Sequence, residues 1–306
     1  MKHNVISYPM QKRAFSLVEL SVVVVVVTIL VAGIFMGSGL VQNARISNAR
    51  AHTAKSVVRD ISGLVAWYET SNNDSFNPGE TYDTAQISQW RDIAPSSQIG
   101  LTNQNVLAVT TPSSNIIYVE SGINSIPSIE FIGSVSSTSK LALTAFYQGN
   151  SAQKTIFLVF KPLAITTQTL IDSISTATDS SIAIKDSNEI TLDSSGDGTA
   201  DGVSTATVTD TASLSVSNDY IMATYFDGSS SRVYLNDAED KAGAANLSPG
   251  TNELTGLTVG SDKDAGSDFN GLISEVIIFD RALKSQERKD IMSYLSIKYN
   301  ISVSGL

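Results

Sequence analysis

Residues 12–20 read Lys12-Arg13-Ala14-Phe15-Ser16-Leu17-Val18-Glu19-Leu20, and SVVVVVVTILVAGIFMGSGLV follows without a break to Val41. From Phe15 onward the only charged side chain in this run is Glu19. As a helix at about 1.5 Å per residue the run spans roughly 40 Å, enough to cross a bilayer core. Valine is a mediocre helix former in water, but in lipid the backbone must satisfy itself, so a helix is expected all the same. Lys12 and Arg13 precede the run and place the leader on the cytoplasmic side. A secretory signal peptide has an apolar stretch of about 7 to 15 residues and a small-x-small cleavage site; this run is longer, and Met36-Gly37-Ser38-Gly39 is a weak site. Neither that reading nor a plain membrane anchor explains Glu19, whose carboxylate is costly in lipid unless it finds a partner.

The segment Lys12 to Leu20 resembles the leader junction of type IV pilins and pseudopilins: a basic leader, a small residue, then Phe-Thr-Leu-Ile-Glu-Leu and a hydrophobic helix. The resemblance implies that a prepilin peptidase cuts between Ala14 and Phe15 and methylates the new Phe15 amine. It also implies that Glu19, fifth in the mature chain, is the family's assembly glutamate. The usual residue before the cut is Gly, and here it is Ala14. Implied partners are the peptidase, the inner membrane and other pilin subunits through the N-terminal helix. The implied location is a single pass of the inner membrane with the rest in the periplasm, then an extracellular pilus or a pseudopilus.

Residues 42–61, QNARISNARAHTAKSVVRDI, contain neither Pro nor Gly. Ala44, Ala51, Ala54, Val57, Val58 and Ile61 recur at helical spacing, and Arg45, Arg50, Lys55 and Arg59 supply exposed basic positions. The reading is one uninterrupted helix from Phe15 to Ile61, about 70 Å long, ended at Ser62-Gly63. The expected organisation is a leader over 1–14, a transmembrane and stalk helix over 15–62 and a C-terminal domain over 63–306.

Beyond Gly63 the pattern changes to short β-branched and aromatic runs separated by turn residues. Candidate strands are 64–68, 87–91, 115–119, 128–131, 141–146, 155–161, 180–184, 190–192, 203–208, 220–226, 232–235, 254–259 and 272–279. Many short strands without intervening helices predict an antiparallel sandwich. One helix is expected at the end, Lys284–Lys298, with Ser285 as its N-cap. The opening Gly63-Leu64-Val65-Ala66-Trp67-Tyr68 with Ile87-Ser88-Gln89-Trp90-Arg91-Asp92, and the close from Phe269 to Leu283, resemble laminin G-like or concanavalin A-like modules of bacterial surface proteins. The resemblance implies a mostly β fold, a concanavalin A-like antiparallel β-sandwich with a short C-terminal helix behind the long N-terminal one. It implies glycan or protein binding and adhesion, with a minority of glycan-cleaving members. Trp67 and Trp90 are read as core packing, and Glu275 and Asp280 as serving the sheet edge and the turn after it.

Composition narrows the chemistry. The 306 residues carry 20 Lys+Arg against 30 Asp+Glu, a net charge of -10 that argues against nucleic acid as a partner. There is no Cys, and the two histidines, His3 and His52, lie near the N-terminus, which removes thiolate and Ser-His-Asp catalysis and the usual zinc sites from the main domain. No Glu-x-Asp-x-Glu strand, phosphate loop or His-Glu-x-x-His motif occurs. The expectation is therefore that the chain is not an enzyme. A surface glycan hydrolase built from distant carboxylates is the rival from another class. Asp193, Ser195, Asp197, Thr199 and Asp201 place oxygens at alternate positions of a Gly-rich loop, a candidate calcium site that lacks the acidic twelfth ligand, Ser204 standing there. No other cofactor is implied. The functional expectation is a pilin-like, minor filament subunit presenting a lectin-like domain, with a pseudopilin of a secretion system as the alternative.

Overall fold

The valine run forms the helix its composition predicts: α1 covers Leu17–Ala54. The computed structural model describes residues 16–99, 102–103, 105–109, 115–133, 139–147, 151–174, 180–185, 190–194, 205–206, 214–237, 250–264 and 266–306. The chain divides into two compact units, Met1–Ala44 and Arg45–Leu306. In the first, Val22 to Val27 are exposed on successive positions around the helix, and α1 is long and apolar enough to cross a membrane.

In the second unit α1 ends at Ala54, short of the expected Ile61. Ser56 opens a 3-10 turn, Val57–Asp60, by accepting a hydrogen bond from the Val58 amide. Gly63, at φ 85°, then turns the chain into the first strand. A Cβ at that position would strike Asp280 Oδ1, so both conformation and space require glycine.

The strands in chain order begin with β1 (Leu64–Glu69), β2 (Gln89–Arg91), the short β3 (Gln98–Ile99) and β4 (Thr102–Asn103), β5 (Val106–Val109) and β6 (Ile116–Ile123). Next come β7 (Ile126–Phe131), β8 (Leu141–Leu143), β9 (Lys154–Pro162), β10 (Gln168–Asp172), β11 (Ser181–Ile184) and β12 (Ile190–Asp193). The last are β13 (Thr205–Ala206), β14 (Tyr220–Phe226), β15 (Arg232–Leu235), β16 (Leu257–Val259) and β17 (Gly271–Phe279). A seven-stranded sheet runs β15-β14-β9-β17-β7-β6, with β1 also on β17; an eight-stranded sheet runs β13-β12-β11-β10-β16-β8-β5-β2. Neighbouring strands pair antiparallel, as the run of short strands predicts. Tyr68, Trp90, Leu107, Phe131, Leu158, Phe160, Ile171 and Leu257 fill the core between the two sheets.

A second apolar layer lies on the other face of the seven-stranded sheet. There α2 (Ser285–Tyr299) buries Ile291, Met292, Tyr294, Leu295 and Tyr299 against Phe157, Val159, Ile221 and Ala223. Each such side chain contributes about 1.5–3 kcal/mol of burial. The N-cap is Lys284 and not the expected Ser285, because Glu287 reaches back to accept the Lys284 amide at 2.8 Å. Asn300, left-handed at φ 50°, ends it. The last turns of α1 join this layer. Ala49 is buried, Arg50 donates to Ser71 O at 2.6 Å and Asn73 Oδ1 at 2.7 Å, and Arg45 donates to Ser125 Oγ at 2.8 Å. Arg45 and Arg50, which the sequence marks as merely exposed, therefore make hydrogen bonds within the second unit.

Candidate functional site

Three places carry chemistry. At the start of α1, Glu19 Oε2 accepts the Ser16 amide at 2.8 Å and Ser16 Oγ accepts the Glu19 amide at 3.1 Å. This reciprocal pair is a capping box, legible as Ser16-x-x-Glu19 in the sequence and missed there. Glu19 is thus not without a partner on its own helix. Ala14 and Phe15 lie outside the described residues.

The second place is the outer face of the eight-stranded sheet. Trp90, Leu107, Leu141, Leu257, Val259 and Ile171 point into the core, so the residues between them point away from it. Register aligns Gln89, Ala108, Ala142, Thr258 and Asp172 in one row across β2, β5, β8, β16 and β10. Gln89, Ala108 and Ala142 are half-buried, whereas Thr258 and Asp172 are buried. Asp172 is pinned by the amides of Ser173 at 2.7 Å and Lys263 at 2.9 Å. Among the described residues, the buried hydroxyls of Thr258 and Ser261 have no hydrogen-bond partner. Thr258, Ser261 and Asp172 are all buried, so these polar groups sit beneath the surface and not on an open ligand floor. No pattern in the sequence marks the row, because its residues come from five strands.

Of the candidate calcium residues, Asp193 closes β12 opposite Ser181; Ser195, Asp197, Thr199 and Asp201 lie outside the described residues. Among the described residues no group of three or more acidic or histidine side chains is placed to hold a metal. In the acidic loop 261–268, Lys140 Nζ donates to the carbonyls of Asp262 and Lys263. A second lysine, Lys154, is buried beside a small cavity lined by Val65, Phe146, Leu254 and Phe279. It donates to Asn252 O at 2.8 Å and lies 4.5 Å from the Phe226 ring centre. Burial pushes its ammonium down to about 7, against a smaller opposing effect of Glu253.

The third place is an ionic cluster sealed beneath α2. A bulge in β17, at the register shift between Ile273 and Glu275, resets side-chain parity. Ile273, Val276 and Ile278 face the inter-sheet core, while Glu275, Ile277 and Phe279 face α2. Trp67 and Glu69 of β1 point the same way, and Glu69 is the direct partner of Glu275. Glu275 is therefore no edge or turn residue, contrary to expectation. Its Oε1 accepts Trp67 Nε1 at 2.7 Å and the Tyr294 hydroxyl at 2.8 Å. Its Oε2 accepts Lys298 Nζ at 2.7 Å and the Tyr299 hydroxyl at 2.9 Å. Burial opposes charge on both Glu69 and Lys298, but their attraction prevails: the Glu69 carboxyl is held below its ordinary value and the Lys298 ammonium above its own. Burial also pushes the Tyr294 and Tyr299 hydroxyls well up, with Glu275 adding to it. Trp67 and Trp90 are fully buried, so neither is a sugar platform.

A family model described as the concanavalin A-like lectin/glucanases superfamily matches residues 135–287, and one described as the prokaryotic N-terminal methylation motif matches residues 9–35. Among curated proteins none matches. The binding domain of Paraclostridial Mosquitocidal Protein 1 is similar in fold, with TM-score 0.51, 13% identity, and coverage of 78% of this chain and 53% of that one. Domain 4 of AbnA, a GH43 extracellular arabinanase from Geobacillus stearothermophilus solved with arabinotriose, gives TM-score 0.48, 20% identity, and coverage of 75% and 98%. A Trypanosoma rangeli sialidase gives TM-score 0.49, 14% identity, and coverage of 78% of this chain but only 33% of the sialidase. The expectation that the chain is not an enzyme does not stand. The matching family takes in glucanases beside lectins. A missing sequence motif does not exclude a catalytic chain in a superfamily that holds glucanases.

Proposed function

The chain belongs to the concanavalin A-like lectin/glucanases superfamily, and from that premise we propose that it is a pilin-like subunit that carries a glycan-recognising domain into a surface filament. The observation that carries this reading is the joining, in one chain, of the methylation motif over 9–35 with the superfamily domain. In this reading a prepilin peptidase removes residues 1–14 and methylates Phe15. The apolar part of α1 holds the precursor in the inner membrane and then packs with like helices in the filament. A domain of this size would crowd a tightly packed filament, which favours a minor subunit over the bulk one. The ligand class is an extracellular glycan, supported by the lectins that the matching superfamily takes in.

Immunogold labelling of sheared surface filaments tests the placement. Sparse labelling of filaments supports the reading, and protein confined to the membrane fraction sinks it. A glycan array probed with the detergent-purified full chain, read for both retention and new reducing ends, tests the ligand class and reports turnover in the same experiment.

A further inference from the structure

The cluster beneath α2 holds the parts of an acyl-condensation site. Lys298 Nζ lies 3.1 Å from Glu69 Oε2 and 2.7 Å from Glu275 Oε2, and none of the three side chains has any exposure. The two oxygens of Glu69 differ in kind. Oε2 accepts the Ser71 amide at 2.8 Å, the Ser71 hydroxyl at 2.6 Å and Lys298. Oε1 is buried and has no hydrogen-bond partner among the described residues. An amine thus meets an acyl carbon one of whose oxygens sits on fixed donors, as an oxyanion would, while the other is held by nothing. Glu275 touches the same amine and is itself fixed by Trp67, Tyr294 and Tyr299. Water, which would reverse condensation, is excluded by the packed layer of Trp67, Tyr294, Leu295 and Tyr299.

We propose that Lys298 and Glu69 condense into an intramolecular amide that joins α2 to β1, with Glu275 as the proton relay. Glu275 takes a proton from the Lys298 ammonium, and the freed nitrogen lone pair attacks Cδ of Glu69. The Nζ–Cδ bond forms as the Cδ–Oε1 bond breaks. Two protons leave the nitrogen by way of Glu275 and depart with Oε1 as one water. Oε2 becomes the amide oxygen and keeps its Ser71 donors. The ammonium and one carboxylate give a neutral amide and water, Glu275 ends as it began, and no oxidant or co-reactant is consumed. Condensation also removes the like-charge opposition of Glu69 and Glu275. It closes a covalent loop from the first strand to the last helix.

The test is peptide mapping of the folded full chain, purified from membranes in detergent and digested with trypsin. The expected result is a branched peptide joining Glu69 to Lys298, lighter by one water than its two arms, with cleavage after Lys298 blocked. Lys298→Arg should lack the branch. Glu275→Gln, which keeps the size of the side chain but relays no proton, should fold with its circular dichroism unchanged and also lack it. Recovery of cleavage after Lys298 and of a linear peptide with free Glu69 from folded wild-type protein overturns the proposal, whatever the variants do. A branch formed at wild-type yield in Glu275→Gln overturns the relay.

Discussion

Glu69 and Glu275 stand directly opposite each other on β1 and β17, both fully buried, and the two carboxylates share one cation, Lys298, from the C-terminal helix. Like charges at opposed positions of a sheet repel, so the pairing of these strands depends on α2 being docked.

Relative to the chain before Lys298 and Glu69 condense, Lys298→Met should therefore destabilise the C-terminal unit by about 3–5 kcal/mol, the range for removing one partner of a buried ion pair. Chemical denaturation of the detergent-purified chain measures it. Adding Glu69→Gln and Glu275→Gln should restore part of the loss, because the stranded charges go with them. A Lys298→Met chain as stable as wild type would remove the keystone role.

Lys154 makes a pH prediction. Its folded-state value is lowered from 10.5 to about 7. Between those values the unfolded chain holds a proton that the folded chain has released, so stability rises with pH across this window and falls as the pH drops toward about 7. Melting temperatures from pH 7.5 to 9.5, a range inside the window from about 7 to 10.5, should climb more steeply for wild type than for Lys154→Met. Parallel curves would contradict it.

At the N-terminus, capping and charge can be separated. Glutamine serves at the third helical position of a capping box but carries no charge. Glu19→Gln should insert in the membrane and keep the cap yet enter filaments poorly, as should Glu19→Val. Immunoblots of sheared filaments against membranes report this. Full incorporation of the Gln variant would assign Glu19 to capping and not to assembly.

Processing is checked by mass spectrometry of the filament form, whose first residue should be N-methylated Phe15. An intact leader or a cut after Ser38 would remove the chain from the prepilin pathway.

Much of the architecture is legible along the chain. The Val run predicts α1, and β-branched runs between turn residues predict β14 and β15 residue for residue and most other strands to within a few positions. β5, Val-Leu-Ala-Val, and β10, Gln-Thr-Leu-Ile-Asp, are missed. β10 is buried along its whole length and so shows no alternation to read. The helix end was misplaced because Ser56 caps a new turn where the apolar spacing alone continues.

The sequence by itself determined a helix long and apolar enough to cross a membrane, the methylation segment and the antiparallel pairing of the named strands in the second unit. These follow from periodicity and short motifs, which are properties of neighbours in the chain. Only the tertiary structure decided where the polar residues work. Glu69 and Lys298 are 229 positions apart, and the parity of Glu275 depends on one bulge residue. Acidic side chains are almost never fully buried unless paired, so the sequence reads Glu275 as serving the sheet edge and leaves Glu69 unmarked. Strand register, a bulge and a docked helix bring them to one cation, and none of these is encoded in a local pattern. The row from Gln89 to Asp172 is likewise a product of register, since five strands must align before its residues share a face.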